Sequence, residues 1–162
     1  MITKYGITLK SLTNNEIAMI TDWRNSPKIR SRMNNYEFQT YEKQLRWFKS
    51  LNKKENIFMV INIDNLPVGL IWVTDIYDTT QLGYYIYDDK YEHSPEATYA
   101  IKAFLEHLFT IPLVEQAYIE IDKKRKNEIR TLKYYGFEEG IYNSYLLSKD
   151  KFLQRRKELQ EN

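Results

Sequence analysis

Apolar and polar positions alternate over residues 5–13, with Tyr5, Ile7 and Leu9 on one side, the period of a half-buried strand. The period then becomes helical. Ile17, Ile20 and Trp23 share a face, Asn14 or Asn15 can cap its start, and Pro27 disfavours helical backbone at Ser26 and closes the segment. A second helix starts at Thr40, with Glu42 and Lys43 in its first turn and Leu45, Phe48 and Leu51 along one face. Runs of apolar and β-branched residues return over 56–63 and 67–76, joined by the turn Asp64-Asn65-Leu66-Pro67, and read as a hairpin. A further strand over 81–87 follows the turn around Asp78-Thr79-Thr80.

Ser94-Pro95-Glu96 carries a helix N-terminus: Ser as N-cap, Pro at the first helical position, an acid in the first turn. Ala100, Phe104 and Leu108, with Ile101, Leu105 and Phe109 beside them, give this helix a wide apolar face that Pro112 ends. A strand over 115–122, a short helix over 127–135 stopping at Gly136, and a strand region over 137–148 complete the pattern. No repeat, low-complexity stretch or linker divides it, so the chain reads as one α+β domain over 1–148. The tail, 149–162, sets Phe152, Leu153 and Leu159 among charges and reads as a helix that docks on the sheet or on a partner.

Composition narrows the chemistry. The 162 residues are 43% apolar, enough for one sizeable core, and 24 Lys+Arg against 22 Asp+Glu leave a net charge of +2. That balance argues against nucleic-acid binding, which needs a clustered positive surplus. The longest uncharged apolar stretches end at Asp64 and Asp75, well short of the roughly 20 residues of a membrane-spanning helix. The N-terminus lacks the apolar region of a signal peptide, which points to the cytoplasm and no membrane partner. There is no cysteine, which removes disulfides, thiolate metal sites and cysteine nucleophiles; with only His93 and His107, a three-histidine metal site is also excluded. Carboxylates, tyrosines, hydroxyls, amides and backbone groups remain, and no metal is implied.

Four phrases in this order carry a resemblance: Asp22-Trp23-Arg24-Asn25-Ser26-Pro27 after the first helix; Thr40, Gln44 and Trp47-Phe48 in the second; Leu82-Gly83-Tyr84-Tyr85 in a central strand; and Ile129-Arg130, Leu132 and Gly136-Phe137 near the end. Together they resemble the GNAT family of acyl-CoA-dependent N-acetyltransferases over residues 5–148. The Trp-Arg-Asn-x-Pro phrase is similar to the branch that acetylates the amine of nucleotide-linked amino sugars, as in pseudaminic acid synthesis. The resemblance implies a mixed, mostly antiparallel sheet with helices on both faces, acetyl-CoA as co-substrate and a small-molecule amine as acceptor.

In such a fold a splayed strand pairs with the pantetheine amides, and a helix N-terminus holds the pyrophosphate through free N–H groups and the helix dipole. The resemblance assigns the donor to Ile86, Tyr87, His93, Ser94, Glu96, Ala97, Thr98 and Asn127. The family's loop, Gln/Arg-x-x-Gly-x-Gly/Ala, here reads Glu92-His93-Ser94-Pro95-Glu96-Ala97, in which only Ala97 fits. Pro95 deletes one N–H, and Glu92 and Glu96 are expected to oppose a diphosphate. A gapless match puts the family's asparagine at Arg125 and its proton-donating tyrosine at Leu132, so Tyr135, or Tyr134 beside it, is expected to serve instead.

For the base, Gln81 cannot take a proton, whereas Glu120 lies between Ile119 and Ile121, where desolvation would raise its pKa toward working pH. On the acceptor side, Arg24 with Asn25 can grip a nucleotide-sugar diphosphate bidentately, and Trp23 and Trp47 can stack on a base or sugar. The altered loop and missing tyrosine keep two alternatives open: a GNAT-derived binding module without acyl transfer, and an enzyme of this fold using another donor. The oligomeric state is not legible.

Overall fold

The computed structural model describes residues 1–33 and 35–161, so Asn162, the end of the predicted tail, lies outside the described residues. In chain order the elements are β1 (Ile2–Lys4), β2 (Ile7–Ser11), α1 (Ile17–Asn25), α2 (Pro27–Arg30), α3 (Tyr41–Ser50), β3 (Ile57–Ile63), β4 (Leu66–Thr74), β5 (Thr79–Ile86), α4 (Pro95–Leu108), β6 (Gln116–Glu120), α5 (Lys126–Tyr134), β7 (Glu138–Glu139), β8 (Ser144–Ser148) and α6 (Lys149–Glu161). Among them no helix is long and apolar enough to cross a membrane.

The expected first strand is instead a hairpin. Tyr5 and Gly6 both take positive φ, 55° and 79°, and form the two-residue turn between β1 and β2. Tyr5 therefore leaves the strand, and its hydroxyl donates to the buried carboxylate of Glu106 on α4. The cap before α1 is Thr13, whose side chain accepts from the Asn15 amide; Asn14 and Asn15 lie inside the short 3-10 turn that follows. Ser26, freed by Pro27 from the helical region, caps α2, a helix the sequence reading did not anticipate. Thr40 and Ser94 cap α3 and α4 as expected. The region 137–148 is two strands, because residues 140–143 turn back on themselves, with Tyr142 at φ 55°.

The strands form one sheet in the order β1-β2-β3-β4-β5-β6-β8-β7, antiparallel at every junction except β5–β6. Strand alternation divides the core between the two faces. Met59, Ile61, Ile71, Val73, Leu82 and Ile86 pack against Ala100, Phe104 and Leu108 of α4. Val60, Leu70 and Tyr85 pack against Ile17, Ile20, Ile29 and Phe48 from α1, α2 and α3. On α3 only Phe48 of the predicted face is buried.

One junction is incomplete. β5 and β6 pair at Thr79–Gln116, Thr80–Ala117 and Gln81–Tyr118, and then part. β5 stays on β4 as far as Ile86–Gly69, while β6 follows β8 as far as Glu120–Ser144. Residues 82–86 thus carry a strand edge with no strand beside it.

α6 runs on from β8 and seats Phe152 in the core, its ring 5.2 Å from that of Phe109. Arg156 reaches Glu106 at 3.2 Å. Phe152→Ala is expected to cost about 3–5 kcal/mol, as for other buried phenylalanines. Urea unfolding checks this: a loss under about 1 kcal/mol would mean that α6 does not belong to the core.

Candidate active site

A cleft of about 230 Å³ opens beside the free edge of β5, between the N-terminal turns of α4 and α5. Tyr84 and Ile86 line it from the strand, His93, Ala97, Thr98 and Ile101 from the loop and α4, and Asn127, Glu128, Arg130 and Thr131 from α5. Five of the residues expected for the donor, Ile86, His93, Ala97, Thr98 and Asn127, meet here. Three do not. Ser94 spends its hydroxyl on capping, accepting from Ala97 N–H at 3.2 Å and donating to the Tyr91 carbonyl at 2.7 Å. Tyr87 turns to the other side and stacks on Trp23, and Glu96 is outside the lining. With Pro95 lacking an N–H and that of Ala97 taken, the Glu96 amide is the first-turn donor left over.

The opposition expected from Glu92 is neutralised within the protein. Its carboxylate accepts from Arg32 at 2.8 Å and pairs with Lys28 at 2.7 Å. Burial pushes this carboxyl up, but the hydrogen bonds from Lys28 and Arg32 outweigh it and hold the pKa below the usual range. A second pair, Arg125–Glu128 at 2.8 Å, lies on the α5 side; burial pushes the Glu128 carboxyl up, but the bond and charge of Arg125, with a backbone hydrogen bond and the Arg32 charge, together lower it.

On the far side of these pairs lies a second cleft, about 420 Å³, lined by Arg32, Met33 and Tyr36 from the loop after α2 and by Glu120, Asp122, Lys124, Arg125 and Asn143. Glu120 stands at the end of β6, exposed. The desolvation expected for it does not occur, because strand alternation turns Ile119 into the core and Glu120 out of it. A third cavity, about 280 Å³, continues from Met33 on the α1–α3 face. Trp47, Phe58, Trp72 and Tyr85 wall it, with Arg24, Gln39 and Gln44 as its polar groups and no acid in the lining. Gly83 makes room for the Trp72 ring, since a Cβ there would lie 2.4 Å from the indole. Burial pulls the Arg24 guanidinium below its usual pKa; its Nη2 donates to the Asn35 carbonyl, and its buried Nη1 has no partner among the described residues.

Of the other acceptor-side residues, Asn25 is a loop clamp: it exchanges two hydrogen bonds of 2.7 Å with the backbone of Gln39. Trp23 is buried beneath Tyr87 and Tyr85, outside the aromatic cavity that Trp47 does line.

Neither expected tyrosine lines the cleft beside β5. Tyr135 is buried under α4 and α6, donates to the Thr98 carbonyl at 2.9 Å, and is pushed up to about 12 by burial. Tyr134 is exposed and carries Arg155 over its ring. The tyrosine that lines the cleft is Tyr84 of β5, which sequence reasoning missed. Burial raises its phenol well above the usual value, Glu128 adds to this, and Arg125 and Arg32 oppose it. The available signal was alternation: Leu82 and Ile86 face α4, so Tyr84 between them must as well. Arg32 and Arg125 were also missed as a pair, being far apart in sequence.

The family model for the acetyltransferase (GNAT) domain matches residues 7–138. No curated protein matches the chain by sequence. Among solved structures, spermidine N-acetyltransferase from Vibrio cholerae in complex with CoA and spermine is similar at a TM-score of 0.83 and 15% identity, covering 93% of this chain and 99% of that one. Aminoglycoside acetyltransferase AAC(6')-Ib in complex with ribostamycin and coenzyme A is similar at 0.81 and 16%, covering 93% and 98%. A domain from Methanocaldococcus jannaschii is similar at 0.73 and 20%, covering 88% and 97%. At these identities the structural likeness shows the fold alone.

Because folding lowers the Glu92 and Glu128 carboxyls, their pairs stabilise the protein above the usual carboxylate range near pH 4 and lose that contribution as pH falls through the folded values. Melting temperature followed down to about pH 3 is expected to fall further in the wild type than in a Glu92→Gln/Glu128→Gln double variant that starts lower. Parallel curves would mean that the two pairs contribute nothing.

Proposed function

Since the chain belongs to the acetyltransferase (GNAT) domain family, we propose that it moves the acetyl group of acetyl-CoA onto a primary amine of a small acceptor through the opening between β5 and β6. The observation that carries this reading is the unpaired edge of residues 82–86 beside a cleft lined by the first turns of α4 and α5. That edge suits the pantetheine amides, which need backbone partners. The diphosphate would take His93, Thr98, Asn127 and Arg130 of the cleft lining. Side chains there make up for the donor that Pro95 removes.

In the transfer, Glu120 takes the proton of the amine, directly or through water, from its exposed position at the end of β6. The amine attacks the thioester carbonyl, and Tyr84, still protonated at neutral pH, supplies the proton for the departing thiolate. On this reading Tyr84, in the lining of the cleft beside β5, faces the donor, and Glu120, in the lining of the second cleft, faces the acceptor.

For the acceptor we propose a nucleotide-linked amino sugar. The aromatic cavity supports this: four rings suit a flat base, and the half-buried Arg24, whose Nη1 has no partner and whose cavity has no acid among the described residues, suits a phosphate oxygen.

Calorimetric titration with acetyl-CoA is expected to give micromolar binding, and none at millimolar ligand would remove the reading. With a UDP-linked amino sugar as acceptor, Glu120→Gln and Tyr84→Phe are each expected to lower kcat about 10²–10⁴-fold with melting temperature unchanged. The Glu120→Gln loss is expected to shrink at high pH, where the amine is already free; a Glu120→Gln enzyme as fast as wild type at neutral pH would remove Glu120 from the mechanism.

A further inference from the structure

Two cations stand where the donor and acceptor clefts meet, and each has a buried nitrogen that nothing uses. Arg32 spends Nη2 on Glu92 and Arg125 spends Nη2 on Glu128, yet Arg32 Nη1 and Arg125 Nε are buried without a hydrogen-bond partner among the described residues. A buried donor left without a partner is destabilising, so two of them at one place call for a ligand that completes them.

Their position says which part of the reaction they face. Both arginines line the acceptor-side cleft, whereas the carboxylates that hold them, Glu92 and Glu128, line the donor-side cleft. The two ion pairs therefore span the gap opened where β5 leaves β6. Both side chains line the same cleft, and both guanidinium charges oppose the upward shift of the Tyr84 phenol. The carboxylates fix each planar fork from one side and leave its remaining N–H to point elsewhere.

We propose that Arg32 and Arg125 are catalytic donors that receive the thioester oxygen as it gains negative charge. This rests on the acyl-CoA reading above. When the amine nitrogen bonds to the carbonyl carbon, the C=O π pair moves onto oxygen, and the two orphan N–H groups meet it there. As the pair returns, the C–S bond breaks and sulfur leaves with the bonding electrons, to be protonated by Tyr84; the proton lost by nitrogen goes to Glu120. Donors fixed in advance and shielded from water stabilise such a charge more than water does. A neutral carbonyl uses them weakly, so they favour the transition state over bound acetyl-CoA.

The test needs no acceptor. S-Carboxymethyl-CoA carries an anionic carboxylate on the acyl side of sulfur, where acetyl-CoA carries its neutral carbonyl. Wild-type protein is expected to bind it at least ten-fold more tightly than acetyl-CoA in calorimetric titration. Arg32→Gln and Arg125→Gln are each expected to bring the two affinities within about two-fold of each other, because a carboxylate freed from its pair acts on both ligands alike. If either Gln variant unfolds, the corresponding Lys variant, which keeps the charge opposite Glu92 or Glu128 but lacks the fork, is expected to cut the preference at least three-fold. Equal binding of the two ligands by wild type, or a preference that survives both substitutions, overturns the proposal and leaves the acyl-CoA reading standing. Failure of both ligands to bind wild type removes that reading, and this inference with it.

Discussion

Backbone N–H and C=O groups demand partners, and the edge of β5 over residues 82–86 has none from the sheet. Everything proposed for this protein follows from that unmet demand. The parallel pairing of β5 and β6 lasts three residues, because each strand is committed elsewhere: β5 to β4 through Gly69, β6 to β8 through Ser144. A sheet that twists while its two halves hold to different partners opens at its weakest junction. The proposed transfer uses this opening as one passage between the cleft under α4 and the cleft on the face covered by α1, α2 and α3.

That passage is charged. Lys28 and Arg32 come from the segment after α1, Glu92 from the loop before α4, and Arg125 and Glu128 from the start of α5. The Lys28 and Arg32 bonds to Glu92 tie the segment after α1 to the loop before α4, while Arg125–Glu128 lies within the start of α5, so the charge of the Glu92 acid is already matched within the protein. The aromatic cavity is arranged differently. Arg24 has no carboxylate beside it and lies against a wall of aromatic rings, with Gly83 letting Trp72 lie across β5. One cleft thus orders its cations by pairing them, and the other leaves a cation to be paired by what enters.

Much of the fold was legible because local signals and burial agree. The caps at Thr40 and Ser94, the Asp64-Asn65 turn at φ 53° and 64°, and the apolar face of α4 each lie where the sequence puts them. Tyr5 misled because its apolar ring continues an alternation that the following Gly6 breaks, and the turn needs their positive φ more than the strand needs one more residue. The site was half legible. Ile86, His93, Ala97, Thr98 and Asn127 converge as the family pattern implies, since that pattern is itself a record of backbone placement. Tyr134 and Tyr135 fail because helix spacing does not carry a side chain past its neighbour: α4 and α6 cover Tyr135, and Tyr134 faces solvent. The Arg32 and Arg125 pairings are long-range, so nothing local announces them.

Amide hydrogen exchange with and without CoA tests the central claim most directly. If the parted edge of β5 is where the donor pairs, CoA should slow exchange at amides within residues 82–86 while leaving the β5–β6 junction at residues 79–81 unchanged. Unaltered exchange over residues 82–86 under conditions where CoA is bound would place the ligand elsewhere and contradict the account.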